Sequence, residues 1–174
     1  AQNRVSRPRF SAVDFKLGAL TLTYRDTITG CPDQHVGNAV VSALDLLFQN
    51  DGNLLSVNAS EQAIAARFAG YLQGHFPGYD VDVEYNRMGD VPKTVAWSDK
   101  PERVYPDIIV HRRRTNTNVL AIELKKTSNP EGKANDLLKL AAYRRELGYL
   151  HALFLRLGVG DIVGSVPECE WVSP

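Results

Sequence analysis

Two β-rich runs, Val104 to His111 and Val119 to Lys126, flank the polar stretch Arg112-Arg113-Arg114-Thr115-Asn116-Thr117-Asn118. Branched and apolar residues on both sides of a short, asparagine-containing break favour an antiparallel hairpin. Nothing else in the chain constrains the fold as much, because a hairpin fixes a register. A turn centred near Thr115 sets Asp107 opposite Glu123, with Cβ atoms roughly 5 Å apart. Alternation then places Lys125 on the face of Glu123 and sends Ile122 and Leu124 to the other face, into a core. Burying two carboxylates side by side is costly without a cation, so the pattern calls for a metal or an equivalent positive partner.

The flanking segments extend the hairpin into a layered domain. Val36, Val40, Ala43, Leu44, Leu47 and Phe48 follow helical spacing, and Asn50-Asp51-Gly52-Asn53 is expected to stop that helix. Ala63, Ile64, Phe68, Tyr71, Leu72 and Phe76 form the apolar stripe of another helix, capped by Asn58 or Ser60 and ending before Pro77-Gly78. Residues 79 to 85 alternate as a strand with one wet face, and 88 to 102 read as a polar loop. After a loop at 127 to 133, a helix over 134 to 147 is closed by Gly148. The almost wholly apolar run 151 to 157 reads as a buried strand, and the remainder as irregular. From residue 59 the order is helix, three strands, helix, strand. That predicts an α/β sandwich with a mixed sheet, since the hairpin is antiparallel and the last strand needs a helical crossover. Residues 1–33, with Arg4, Arg7 and Arg9 ahead of the β-rich run 19 to 24, read as an arm or short strand outside a single domain at 34–174.

A length of 174 residues with 44% apolar and 23% charged side chains suits one domain with a real core. Twenty basic residues cancel twenty acidic ones, so net charge gives no support to a polyanion partner, although a local basic face is compatible with a neutral total. Cys31 and Cys169 fit no metal-knuckle or disulfide spacing, and the four histidines have no zinc-like spacing. No apolar run approaches the roughly 20 residues needed to span a bilayer, and Ala1-Gln2-Asn3-Arg4 begins no signal-peptide core. The expectation is a cytoplasmic chain with no membrane partner.

Two carboxylates beside a lysine suit phosphodiester hydrolysis. Mg²⁺ held by carboxylates offsets the charge of an anionic centre and lowers the pKa of water, and a lysine ammonium orients or deprotonates that water or stabilises the added charge. On this order of elements, Pro106-Asp107 followed by Glu123-Leu124-Lys125 resembles the PD-(D/E)xK superfamily of restriction-endonuclease-like nucleases, over roughly residues 59 to 157. The resemblance is nearest to small, poorly characterised bacterial and phage members. It implies an αβββαβ core with a mixed central sheet, and cleavage of DNA with Mg²⁺ or Mn²⁺. It also implies a site in which Asp107, Glu123 and the Leu124 carbonyl ligate metal, Lys125 acts on water, and Glu61 contributes a further acid from the preceding helix. Asp136, Lys139 and Tyr143 share one face of the next helix and border that site.

Plainer roles compete at several positions. Pro-Asp followed by Glu-x-Lys arises by chance in about one chain in twenty of this length, and this chain repeats the spelling at Pro32-Asp33 and Glu131-Gly132-Lys133. With Asn58 as cap, Glu61 occupies the N3 position of a capping box. Glu84 suits a solvated carboxylate, and Asp136 with Lys139 a helix ion pair. Arg112, Arg113 and Arg114 at the hairpin tip, with Lys139, are candidate nucleic-acid contacts or a solubilising cluster. The alternative to a nuclease is a catalytically inactive module of this fold that binds nucleic acid or a larger protein partner. Self-association through residues 1–33 is a third expectation.

Overall fold

The structure, a computed structural model, describes residues 15–17, 20–98 and 100–173, with side chains from residue 23 on. Arg4, Arg7 and Arg9 lie outside the described residues. Strands β1 (Phe15–Leu17) and β2 (Leu20–Leu22) form a small antiparallel ladder, followed by helices α1 (Tyr24–Thr29), α2 (Gln34–Ser56) and α3 (Glu61–Gln73). Then come β3 (Asp80–Val83) and two short ladders, β4 (Arg87–Met88) with β5 (Val91–Pro92) and β6 (Thr94–Val95) with β7 (Glu102–Arg103). The chain continues through β8 (Ile108–His111), β9 (Asn118–Lys126), α4 (Ala134–Leu147), β10 (His151–Leu157) and β11 (Glu168–Trp171).

The central sheet is five-stranded and mixed, in the order β11-β10-β9-β8-β3. β9 and β10 run parallel, joined by α4 as the crossover, and every other neighbouring pair is antiparallel. The expected hairpin register is present: Ile108 pairs with Ile122, Ile109 with Ala121 and Val110 with Leu120, and a bulge follows before His111. Carried one step further, this register sets Asp107 against Glu123.

Alternation along the strands splits the core into two. Ile108, Val110, Leu120, Ile122, Leu124, Leu153 and Leu155 pack under α1, α2 and α3, while Ile109, Ala121, Ala152 and Phe154 pack under α4 with Leu140, Tyr143 and Leu147. Each large apolar side chain among them, fully removed from water, contributes roughly 1.5–3 kcal/mol. The face that carries Glu123 is therefore covered by α4, and seven consecutive residues of β9 are buried.

The tertiary structure corrects several local expectations. α2 runs through the expected stop to Ser56, with only a kink at Asp51 (φ −125°). Leu55 beyond the kink is fully buried, and the Asp51 carboxylate accepts from Arg67 and Tyr71 of α3, so tertiary contacts outweigh local breaking propensity. The polar loop at 88–102 contains the short ladders, β3 is shorter than 79–85 and half-buried throughout, and the irregular end contains β11. Tyr24, expected in an arm, opens α1, and Tyr24, Ile28 and Cys31 belong to the larger core. Asp33, of the Pro32-Asp33 pair, is the N-cap of α2, accepting from the His35 and Val36 amides. Among the described residues no helix is long and apolar enough to cross a membrane.

Candidate active site

The open end of the β8–β9 hairpin collects the acidic groups. Asp107 immediately precedes β8, and its Oδ2 accepts the Leu124 amide at 2.7 Å, which ties the carboxylate to the strand bearing Glu123 and Lys125. Glu123 is 6% exposed, and its Oε1 accepts the Tyr143 hydroxyl of α4 at 2.9 Å. Burial, followed by the Asp107 charge, pushes Glu123 up to a pKa of about 8. Burial pushes Asp107 up to about 6, against the pull of the Leu124 amide and with the charges of Glu61 and Asp136 adding to the rise. Burial and the adjoining Glu123 push Tyr143 well above the ordinary tyrosine range, so it remains a donor.

Lys125 sits on the same face, its ammonium 3.2 Å from Glu131 and 3.2 Å from Asp136 Oδ2. Burial works against its charge, but Asp136 and then Glu131 outweigh it, and the pKa ends above the ordinary lysine value. Lys125 is therefore an ammonium at neutral pH and has no free pair with which to accept a proton. Asp136 is itself buried and reaches Lys139 at 3.6 Å through Oδ1. Its Oδ2, 3.2 Å from the Lys125 ammonium, has no other polar partner among the described residues.

Of the two caps that the sequence offers for α3, Asn58 and Ser60, the structure uses Ser60. Ser60 caps α3 by accepting the Ala63 amide, so Glu61 is the first helical residue and belongs to no capping box. Asn58 has a positive φ of 53° and cannot serve as that cap from there. The Glu61 carboxylate accepts the Lys126 amide at 2.9 Å and the Asn129 side chain at 3.2 Å. With Lys126, Ser128 and Asn129 it lines an open depression of about 280 Å³. It clamps the end of β9 and the loop beyond it, and its charge raises Asp107.

The arginine tip lies away from this centre. Arg112, Arg113 and Arg114 fall in the turn, four strand residues from Asp107, or roughly 13 Å along β8. Arg113 is bonded to Asp82 and Asp80 of β3, Arg112 stacks over Tyr79 at 4.9 Å, and Arg114 takes a turn conformation with φ 60°. His111 is buried at the same end, 2.8 Å from Asp82. Lys139 does reach the site, through Asp136. Glu84 has a positive φ of 50° and accepts from Gln62. Within the run Glu131-Gly132-Lys133, Glu131 holds Lys125, and Lys133 pairs with Glu168 and Glu170. No periodicity marks Glu131, since it acts from a loop.

Among the described residues, no group of three or more His, Cys, Asp or Glu side chains converges to hold a metal ion. The pair Asp107 and Glu123 still suits a hard cation. Mg²⁺ keeps several waters and binds through one or two carboxylates together with substrate phosphate oxygens. Both acids are pushed up by burial, Glu123 further by the Asp107 charge, and neither forms an ion pair among the described residues, since Lys125 is committed to Asp136 and Glu131 and Lys139 to Asp136. Leu124 lies between Glu123 and Lys125, buried and paired with Leu155 of β10. Comparison with known proteins returns no matching family model, no curated relative and no solved structure.

Proposed function

We propose that this chain is a metal-dependent nuclease with a restriction-endonuclease-like core, hydrolysing DNA phosphodiester bonds at Asp107, Glu123 and Lys125. The observation that carries this reading is the pairing of Asp107 and Glu123: two carboxylates opposite each other in the β8–β9 register, largely buried and in no ion pair among the described residues, with Lys125 and Lys139 acting on them only from a distance. Proteins seldom retain such an arrangement unless a ligand relieves it. The element sequence α3, β3, β8, β9, α4, β10 and the parallel β9–β10 pair support the same core.

Asp107 and Glu123 would hold Mg²⁺ or Mn²⁺, with the Leu124 carbonyl as a further oxygen. Such an ion, when bound, supplies charge neutralisation and a more acidic water. The Leu124 amide and the Tyr143 hydroxyl each fix one carboxylate oxygen, leaving the other oxygen of each residue for the cation. Lys125, fixed as an ammonium by Asp136 and Glu131, orients the attacking water and stabilises negative charge at phosphorus, while the proton of that water passes to a solvent water. Water oxygen bonds to phosphorus, one P–O ester bond breaks, and the departing oxygen takes a proton from solvent. Glu61 acts indirectly, by holding the loop that follows Lys125.

The test is incubation with linear, circular and single-stranded DNA, with and without Mn²⁺. Asp107→Ala and Lys125→Ala are each expected to lower metal-dependent cleavage by about a thousandfold or more, with unchanged circular dichroism. Full activity in a well-folded Lys125→Ala protein sinks the assignment. Absence of any cleavage by the wild type, with no thermal response to Mn²⁺, leaves the inactive binding module as the better description.

A further inference from the structure

Tyr105 lies two residues before Asp107, hence within roughly 7 Å of it along the chain. It is 55% exposed, although Val104 and Pro106 on either side are buried. The backbone is therefore fixed on both sides while the ring stands in water, two residues from Asp107. An aromatic ring of this size ordinarily gains by burial. On the α4 side, the Lys139 ammonium stands 5.4 Å from the centre of the Trp97 ring and 3.6 Å from Asp136. One exposed ring thus stands next to Asp107 in the chain, and one cation beside another ring lies near enough to act on Glu123, the combination that binds single strands through base stacking and phosphate attraction.

Depth points the same way. Glu123 is 6% exposed beneath Tyr143, so a phosphate must descend to reach it. A single strand bends its backbone freely, whereas bending a duplex over a few base pairs carries a deformation cost. In a duplex, moreover, neighbouring bases already cover each base face, and Tyr105 has nothing to stack upon except a terminal pair.

We infer that the site takes a single nucleic-acid strand, entering as a free end or an unpaired segment, with Tyr105 stacked on its bases. This rests on the nuclease reading and narrows its substrate. The test is fluorescence anisotropy of the full chain in Ca²⁺ with a labelled oligothymidine and a blunt duplex of matched length, alongside cleavage of both in Mn²⁺. The strand is expected to bind about tenfold tighter than the duplex, with Tyr105→Ala losing about tenfold on the strand alone and Tyr105→Phe retaining wild-type affinity. Equal or tighter binding of the duplex, or wild-type strand affinity in Tyr105→Ala, overturns the inference. A strand bound through Tyr105 but left uncut in Mn²⁺ supports the strand site and removes the nuclease. Cleavage of duplex, with no Tyr105-dependent strand binding, keeps the nuclease and removes the strand site.

Discussion

Each end of the β8–β9 hairpin engages a largely buried aspartate, Asp82 of the neighbouring β3 through Arg113 and His111 at the tip and Asp107 at the open end, and the two pKa values shift in opposite directions. At the tip, burial raises the pKa of Asp82, but Arg113 and then His111 outweigh it, and the carboxyl ends below its ordinary value. At the open end, burial raises Asp107 to about 6, and the only strong counterweight is one backbone amide. The neighbouring charges there are mostly acids, and Glu123 rises further, to about 8. The same side chain in one small domain is thus satisfied in one place and frustrated in the other. A paired buried charge is consistent with packing alone, whereas two adjoining acids in no ion pair cost folding energy and point to something that binds.

Glu123 offers the largest test of that contrast. Its folded pKa, about 8, exceeds the ordinary value of 4.5, so between these limits the folded state binds more protons than the unfolded chain. Stability of the metal-free protein therefore falls as pH rises through this window, by several kcal/mol if the whole difference is expressed. Urea denaturation across the window should show the decline in wild type, a much flatter profile in Glu123→Gln, and recovery in wild type on adding Mn²⁺. An identical slope in the Gln variant would mean that this acid is not frustrated.

The tip should respond differently. Arg113→Ala leaves Asp82 with His111 as its one remaining side-chain partner among the described residues, and Arg113 is about half exposed, so the expected loss is about 1–2 kcal/mol. Metal-dependent cleavage should be unchanged, because the tip shares no hydrogen bond with Asp107 or Glu123 among the described residues. Loss of cleavage in a stably folded Arg113→Ala protein would show that the two ends act as one unit and break the comparison.

How much of this is legible in the sequence follows from which interactions are local. The β8–β9 register is readable because a short polar break and a two-residue period fix a hairpin, and the bounds of α4 and β10 are readable from Gly148 and an apolar run. What covers a face is not readable. Alternation places Lys125 with Glu123, but how closely that face is covered depends on the parallel return of β10, which brings α4 down over it. Glu61 escapes the same reasoning because its partner, the Lys126 amide, is 65 positions away and is a backbone group without any spelling. The kink at Asp51 is hidden for a similar reason, since the groups that carry α2 past it belong to α3.

The smallest expected effect separates roofing from chemistry. Tyr143→Phe keeps the ring in the core beneath α4 and removes only the hydroxyl that Glu123 accepts, a loss of about 1 kcal/mol in stability. That hydroxyl favours the ionised form of Glu123, so its removal raises the carboxyl further and requires a higher pH for the same ionisation. The acid limb of log kcat against pH should therefore move to higher pH in Tyr143→Phe, with KM nearly constant and the alkaline rate close to that of wild type. Lys125→Ala should instead lower the rate at every pH. A Tyr143→Phe profile that superimposes on the wild type would reduce Tyr143 to packing, and would leave Glu123 perturbed by burial and Asp107 alone.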